Sequence, residues 1–487
     1  MAKSENIRRI LVSILFLAAL AGIAPAAPGQ QGNTNNDIVI GTRVPFPSNV
    51  LNTELVLSIH LPPGYDQGTW KYPVLYDLNS SQTFAHDTGT VDFLSTPGLG
   101  YVPQMIVVGV PWLSDLYVPT PFEERGPEPK ASDLFLKFFR EELMPFIDRT
   151  YRTCGYNILS GHSVAGLFTT YALFTQPDLF SAGIASSPGF YAQGQYWLKN
   201  IDKMFQADSL AHKSLFLTVG RKEQDFWLSA FTELEEWMGS KDLKGLAWKS
   251  AWFDGHDHMS MIGRSLYDGL LFIFDGYRFP YLLVRSADIP AIEAHAAEIR
   301  ARFGGLIDYK VPEDLLADFG DLWLASRLYD KAIRLASLNA KLYPEGWKPY
   351  FRLAEAFTGK GDKESARKNY ELAAAKNPGR TDPEKFMLQI TRARLNPSPP
   401  TAKQLALYAG DYGESKLSLE NGALFYHGTG PQPAGPPPYR LIPLTKTLFA
   451  VDGYCNFWLE FVLTDGGVTA VVRLYDDGRR ETSPRSE

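Results

Sequence analysis

With 487 residues, the chain exceeds what one ordinary hydrophobic core organises, so two or three domains are expected. Its hydrophobic fraction of 45% and charged fraction of 21% are those of a folded soluble protein. A formal net charge of −6, with no Lys/Arg cluster, gives no electrostatic reason to expect a nucleic-acid partner.

At the start of the chain, Lys3, Arg8 and Arg9 precede an apolar run from Ile10 to Ile23 and the small-residue site Ala24-Pro25-Ala26. That pattern predicts a signal peptide over residues 1–27, cleaved after Ala26 or Ala27, and export to the periplasm or the medium. The run is short for a membrane span, and no later segment reaches about 18 uncharged residues. No membrane association beyond the signal peptide is expected. Cys154 and Cys455 fall in different predicted domains, which predicts free buried thiols and offers no zinc-site spacing.

Residues 37–280 alternate strand-like and helix-like patterns, the signature of a mostly parallel sheet covered by helices on both faces. Predicted strands are Leu55–Leu61, Tyr72–Asp77 and Met105–Val110, followed by a helix over about 132–149. Strands at 156–160, Ala182–Ser186, Ser214–Val219 and Ala247–Phe253 complete the sheet, and a helix is predicted over 259–274. From 281 to 395 the pattern becomes helical. Pro344 and Pro378, Ala332 and Ala366, and Leu338 and Leu372 are each 34 residues apart, the period of tetratricopeptide repeats. Such repeats offer a surface for a protein partner. After the linker Asn396–Thr401, residues 403–480 read as short strands with Asn421-Gly422, Asp465-Gly466 and Asp477-Gly478 turns. They predict a small antiparallel barrel or sandwich. The proline-rich stretch Pro431–Pro438 reads as a stiff loop within it.

The richest segment is Asn157-Ile-Leu-Ser-Gly161-His162-Ser163-Val164-Ala165-Gly166. A buried strand runs into a small-residue turn that presents one serine, and a helix follows directly. Such a nucleophile elbow pushes the Ser163 hydroxyl above the sheet and aims helix N–H groups at developing negative charge. Ala165 stands where the pattern has its second glycine, with Gly166 beside it.

A serine nucleophile needs a base, and the base needs an orienting acid. In this fold they follow in the order serine, acid, histidine, each after a strand's carboxyl end. That order sets aside His60 and His86, and His162 is expected to point away from the serine. His256 and His258 remain after strand 247–253, and His258 is favoured because it stands next to the predicted helix start. The acid follows strand 214–219, where Glu223 is favoured over Asp225. The oxyanion hole is expected to use the backbone N–H of Val164 and one from the loop after strand 72–77, with Ser80 as the candidate. A lone His-x-His pair without a third ligand predicts no metal, and nothing predicts a cofactor.

Several segments in order resemble the esterase family of α/β-hydrolases that contains enterochelin-type esterases and S-formylglutathione hydrolases. They are Leu61–Tyr65, Tyr72–Tyr76, Glu141–Asp148, Gly161–Phe168, Ser186–Pro188 and His258–Ser260. The resemblance implies an α/β-hydrolase domain over about 40–275 whose serine and histidine map onto Ser163 and His258, and whose acid maps onto Glu223. A subgroup of that family carries tetratricopeptide-like helices after the esterase domain. Where siderophore esterases place an arginine, this chain has Trp112-Leu-Ser-Asp-Leu-Tyr117, which argues against a polyanionic ferric siderophore. Trp112 and Tyr117 read either as an apolar pocket or as core. The tail at 405–478 resembles small β domains appended to exported serine hydrolases of other folds.

The leading expectation is therefore an exported serine esterase acting on a small-molecule ester through an acyl-enzyme. Acyl transfer by the same residues, or an inactive hydrolase-fold binding protein, are the alternatives.

Overall fold

The computed structural model describes residues 38–486 except 97, 122–123, 125–129, 206–209, 244 and 429–437. The expected signal peptide and most of the Pro431–Pro438 loop lie outside the described residues. The chain divides into two compact units, Ile38–Leu316 and Ala317–Glu487.

The first unit is built on an eight-stranded sheet. Its strands are β1 (Thr42–Ser48), β2 (Thr53–His60), β3 (Tyr72–Asp77), β4 (Ile106–Gly109), β5 (Thr153–His162), β6 (Ala182–Ser186), β7 (Lys213–Gly220) and β8 (Leu246–Phe253). They lie in the order β1-β2-β4-β3-β5-β6-β7-β8. The strands from β3 to β8 are parallel, while β1 and β2 add on antiparallel at one edge. The central strands β3 and β6 are buried along their whole length, as expected of a sheet covered on both faces. β1 carries Pro45 and Pro47, which cannot donate to a ladder, and its place at the sheet edge tolerates both. That proline content hid the strand from the sequence pattern.

The main helices of this unit are α1 (Ser80–Ser95), α2 (Ala131–Phe138), α3 (Met144–Thr150), α4 (Val164–Thr175), α5 (Asp225–Ser240) and α6 (Ile262–Ile273). The single helix expected over 132–149 is interrupted by a π-turn at Phe139–Leu143. Pro145 lacks an N–H and would break an α-helical ladder, and the wider turn before it absorbs the mismatch. Phe135, Phe138, Phe139 and Phe168 still meet in one aromatic cluster beneath the elbow.

Helices at 281–286 and 289–302 fold with the first unit, so the division falls at 316 and not at the expected 280. Aromatic contacts account for this. Phe303 packs on Tyr156 and Phe274, with ring centres 5.4 and 5.3 Å apart, and Tyr309 packs on Tyr277.

The second unit contains α7 (Glu313–Ala325, which crosses the division), α8 (Tyr329–Leu342), α9 (Lys348–Lys360), α10 (Lys363–Lys376) and α11 (Asp382–Leu395). The starts of α8 and α10 are 34 residues apart, as are those of α9 and α11. Eight antiparallel strands between Gly410 and Pro484 follow in simple up-and-down order. A bridge between Tyr412 and Arg485 brings the first strand to the chain end beyond the last. Tyr412, Tyr426, Phe449, Phe457 and Phe461 fill the interior. Both cysteines are free, Cys154 half-buried in β5 and Cys455 buried in the second unit.

The elbow itself depends on one close approach. A Cβ added at Gly161 would lie 2.3 Å from the Ala165 carbonyl oxygen, a backbone atom that cannot step aside. Gly161→Ala is therefore expected to cost about 3 kcal/mol, read as a lowered midpoint of chemical unfolding. An unchanged midpoint would show that the turn is looser than described.

Candidate active site

β5 ends in the turn that carries Ser163, and α4 begins at the next residue. Ser163 adopts φ 61° and ψ −123°, a region costly to any residue with a Cβ. Three hydrogen bonds hold it there. Its N–H donates to Ser186 O (2.9 Å), and its carbonyl accepts from Gly189 N–H (2.9 Å) and Leu167 N–H (3.1 Å). Gly166 makes the close approach to the neighbouring strand, since a Cβ there would sit 3.0 Å from Ser186 O. Ala165 is fully buried and accommodated. The close approach at the elbow thus falls to Gly166, next to the position that usually carries the glycine.

Glu223 follows β7 in a tight turn and is buried. Its Oε1 accepts from Gly220 N–H (2.9 Å), and its Oε2 accepts from His258 Nδ1 (2.8 Å) and the Ser187 hydroxyl (2.5 Å). Burial alone would raise its pKa. The hydrogen bonds from His258, Ser187 and Gly220 outweigh that and hold the carboxyl below its usual range. A carboxylate accepting from Nδ1 fixes the tautomer with its proton on Nδ1, leaving Nε2 as the acceptor. Asp225, the competing acid, is the first residue of α5.

His258 does not adjoin a helix start as expected, because α6 begins at Ile262. A side-chain turn fixes it instead. Asp257 Oδ1 accepts from the N–H groups of Met259 and Ser260, and Asp257 N–H donates to Ser260 Oγ. Trp227 packs against the imidazole, with ring centres 4.1 Å apart, and its Nε1–H donates to Ser187 O. His256 bonds back to Ser260 O within its own loop.

His162 departs most from expectation. It lines the same cleft as Ser163 and His258, a space of about 210 Å³. Its Nε2 lies 2.7 Å from His258 O, which makes it a donor to that carbonyl. Its backbone N–H donates to Asn79 Oδ1 (3.3 Å). One buried residue therefore ties the elbow, the His258 loop and the loop after β3 together. Burial first, then the nearby His258, lowers its pKa to about 4, so it is neutral above that pH.

Asn79, Ser81 and Gln82 contribute the opposite wall of the cleft. The Ser80 hydroxyl turns away and donates to Val110 O (2.7 Å). The N–H groups of Leu78 and Asn79 are engaged by Ser160 O and Asp77 Oδ1. Donors from this loop must therefore come from the N–H groups of Ser80 and Ser81 at the start of α1, since those of Gln82 and Thr83 already donate to Asn79 O. Burial, then the adjacent Asp87, pushes the Asp77 carboxyl well above the usual range. Neither Ser187 nor His162 was found by sequence reasoning. Ser187 left a weak signal, a serine before Pro188 at the end of β6, where it takes φ 45°. Among the described residues, no group of three or more His, Cys, Asp or Glu is placed to hold a metal ion. No described helix is long and apolar enough to cross a membrane.

Residues 48–261 match the model of the family described as "Putative esterase". The chain is 27% identical over 216 residues to ferri-bacillibactin esterase BesA of Bacillus subtilis, covering 39% of this chain and 75% of that protein. It is 33% identical over 119 residues to the siderophore enterobactin esterase of Emericella nidulans, covering 23% of this chain and 39% of that one. In fold it resembles the IroE-like serine hydrolase of Shewanella oneidensis, with a TM-score of 0.53 and 22% identity. That likeness covers 62% of this chain and 99% of the other. Together the matches support a hydrolase of ester bonds of the α/β-hydrolase type.

The His162 clamp has a measurable signature. Its folded pKa lies below the ordinary histidine value of 6.5, so the unfolded chain binds a proton that the folded one refuses. This contribution to stability is present above pH 6.5 and is lost as pH falls towards 4, by about 3 kcal/mol. In His162→Gln, which keeps an N–H donor but does not titrate, urea unfolding is expected to lose that part of its pH dependence. An identical pH dependence in variant and wild type would contradict the buried neutral imidazole.

Proposed function

We propose that this protein is an exported serine hydrolase that cleaves a carboxylic ester through an acyl-enzyme. The observation that carries the reading is the buried Glu223 carboxylate, bonded to Nδ1 of His258 in the cleft that also holds Ser163. His258 Nε2 takes the proton from the Ser163 hydroxyl as its oxygen attacks the ester carbonyl. The same imidazole returns the proton to the leaving alcohol. Water then enters and attacks the acyl carbon, giving its proton to Nε2, and Nε2 passes that proton to the Ser163 oxygen as the acid leaves. Glu223 holds the tautomer and stabilises the imidazolium without taking its proton.

The developing oxyanion is met by the N–H of Val164 at the start of α4. A second donor is the N–H of Ser80, in the first turn of α1. Such donors are worth about 3–4 kcal/mol each where single removals have been measured. His162 holds the His258 carbonyl, which keeps the base from rotating out of reach. The basic, apolar and small-residue pattern of residues 1–27 supports export to the periplasm or medium. The 34-residue offsets among α8 to α11 support tetratricopeptide-like repeats that offer a surface for a protein partner. The relatives named as siderophore esterases support a small-molecule ester as substrate.

Labelling of the full chain by a fluorophosphonate probe tests the assignment. Ser163→Ala is expected to abolish labelling. His258→Ala should slow it by several orders of magnitude, and Glu223→Gln about 100-fold or more. Retention of the wild-type rate in His258→Ala, with loss in His256→Ala, would move the base to the other histidine.

A further inference from the structure

The loop after β4 divides in the structure. Tyr117 is fully buried, while Trp112 is 45% exposed and lines the cleft beside Ser163. The two rings meet edge to face, with centres 5.1 Å apart and planes at 77°. Tyr117 is itself locked in place. Its hydroxyl donates to Leu78 O (3.3 Å) and accepts from Leu113 N–H (3.2 Å), and its ring packs on Phe135 and Phe168. Trp112 is thus a braced aromatic wall and not a loose surface side chain. Met259, 55% exposed, adds a second apolar group to the lining beside His258.

Charge and size narrow what such a wall receives. Among the described lining residues none is an Asp, Glu, Lys or Arg. A multiply anionic chelate would find no Lys or Arg among these described residues to replace its lost hydration. At about 210 Å³ the cleft is smaller than the 300–1,000 Å³ usual for drug-sized ligands, so it takes one ring-sized portion of a substrate. Aromatic groups stack on, or stand edge-on to, an exposed indole, and a polarizable thioether favours such rings as well.

We infer that Trp112 is a specificity-determining residue, and that it binds a flat, uncharged aromatic group of the ester. The inference rests on the esterase reading above and specifies the substrate class of the same site. It departs from the iron-chelate substrates in the names of the related esterases. The wall acts in substrate binding, ahead of the chemical step, so its removal appears in KM for aromatic esters.

The experiment measures hydrolysis of ethyl cinnamate, ethyl butyrate and ferri-bacillibactin by the full chain, Trp112→Ala and Trp112→Phe. Wild type is expected to favour cinnamate over butyrate about tenfold in kcat/KM, and to favour both over the iron chelate. Trp112→Ala should erase that ratio mainly through KM for cinnamate, and Trp112→Phe should retain most of it. Equal losses on both ethyl esters, a ratio unchanged in Trp112→Ala, or a preference for the iron chelate would each overturn the inference. Cleavage of butyrate that disappears in Ser163→Ala establishes the hydrolase in any of those cases. A chain that cleaves no ester and takes no fluorophosphonate label overturns the esterase reading, and this inference with it.

Discussion

The site hangs on a backbone conformation that serine does not choose for itself. Ser163 at φ 61° stands at the junction of β5 and α4, and strain of this kind costs about 1–3 kcal/mol. It persists because Ser186 at the end of β6 captures its N–H and Gly189, in the loop beyond, captures its carbonyl, while Gly161 and Gly166 let backbone pass where a side chain would collide. The hydrophobic cluster of Phe135, Phe139 and Phe168 supports α4 from below. The sheet's core energy is thereby spent on holding one hydroxyl above the strands.

A second constraint follows from burying a carboxylate. Glu223 is tolerable inside the protein because three donors surround it, and one of them is the imidazole that it serves. Ser187 is the less obvious donor. Its positive φ turns the hydroxyl onto Glu223, and its carbonyl holds Trp227, which in turn packs on His258. His162 works from the other side, through the His258 carbonyl. The base is therefore located by contacts on its ring, its Nδ1 and its own backbone, which is the preorganisation that proton transfer requires.

Local pattern made part of this arrangement legible. Strand-to-helix punctuation and residue order led to Ser163 and to two pairs of candidates, His256 or His258 and Glu223 or Asp225, and it is His258 and Glu223 that the structure brings into hydrogen-bond contact. What escaped depends on which chain segment crosses which. His162 was set aside by a rule about neighbours in a tight turn, but the loop after β8 comes over β5 and presents its carbonyl to the ring. Ser187 entered the sequence reading only as part of the Ser186–Pro188 segment, with no role attached to it. β1 was invisible because prolines are read as strand breakers, although an edge strand accepts them. Likewise, helices 281–302 looked like the start of a new domain until the contacts of Phe303, just beyond them, with Tyr156 and Phe274 were in view. Sequence periodicity reports a helix's apolar face but not the surface it meets.

The central claim is a covalent one, and mass spectrometry addresses it most directly. The full chain would be mixed with a slowly deacylating activated ester and quenched in acid within seconds. The account predicts one acyl group per chain, located by peptide mapping on Ser163 and absent from Ser163→Ala. Turnover of the ester with no adduct, or an adduct on any other residue, would contradict it.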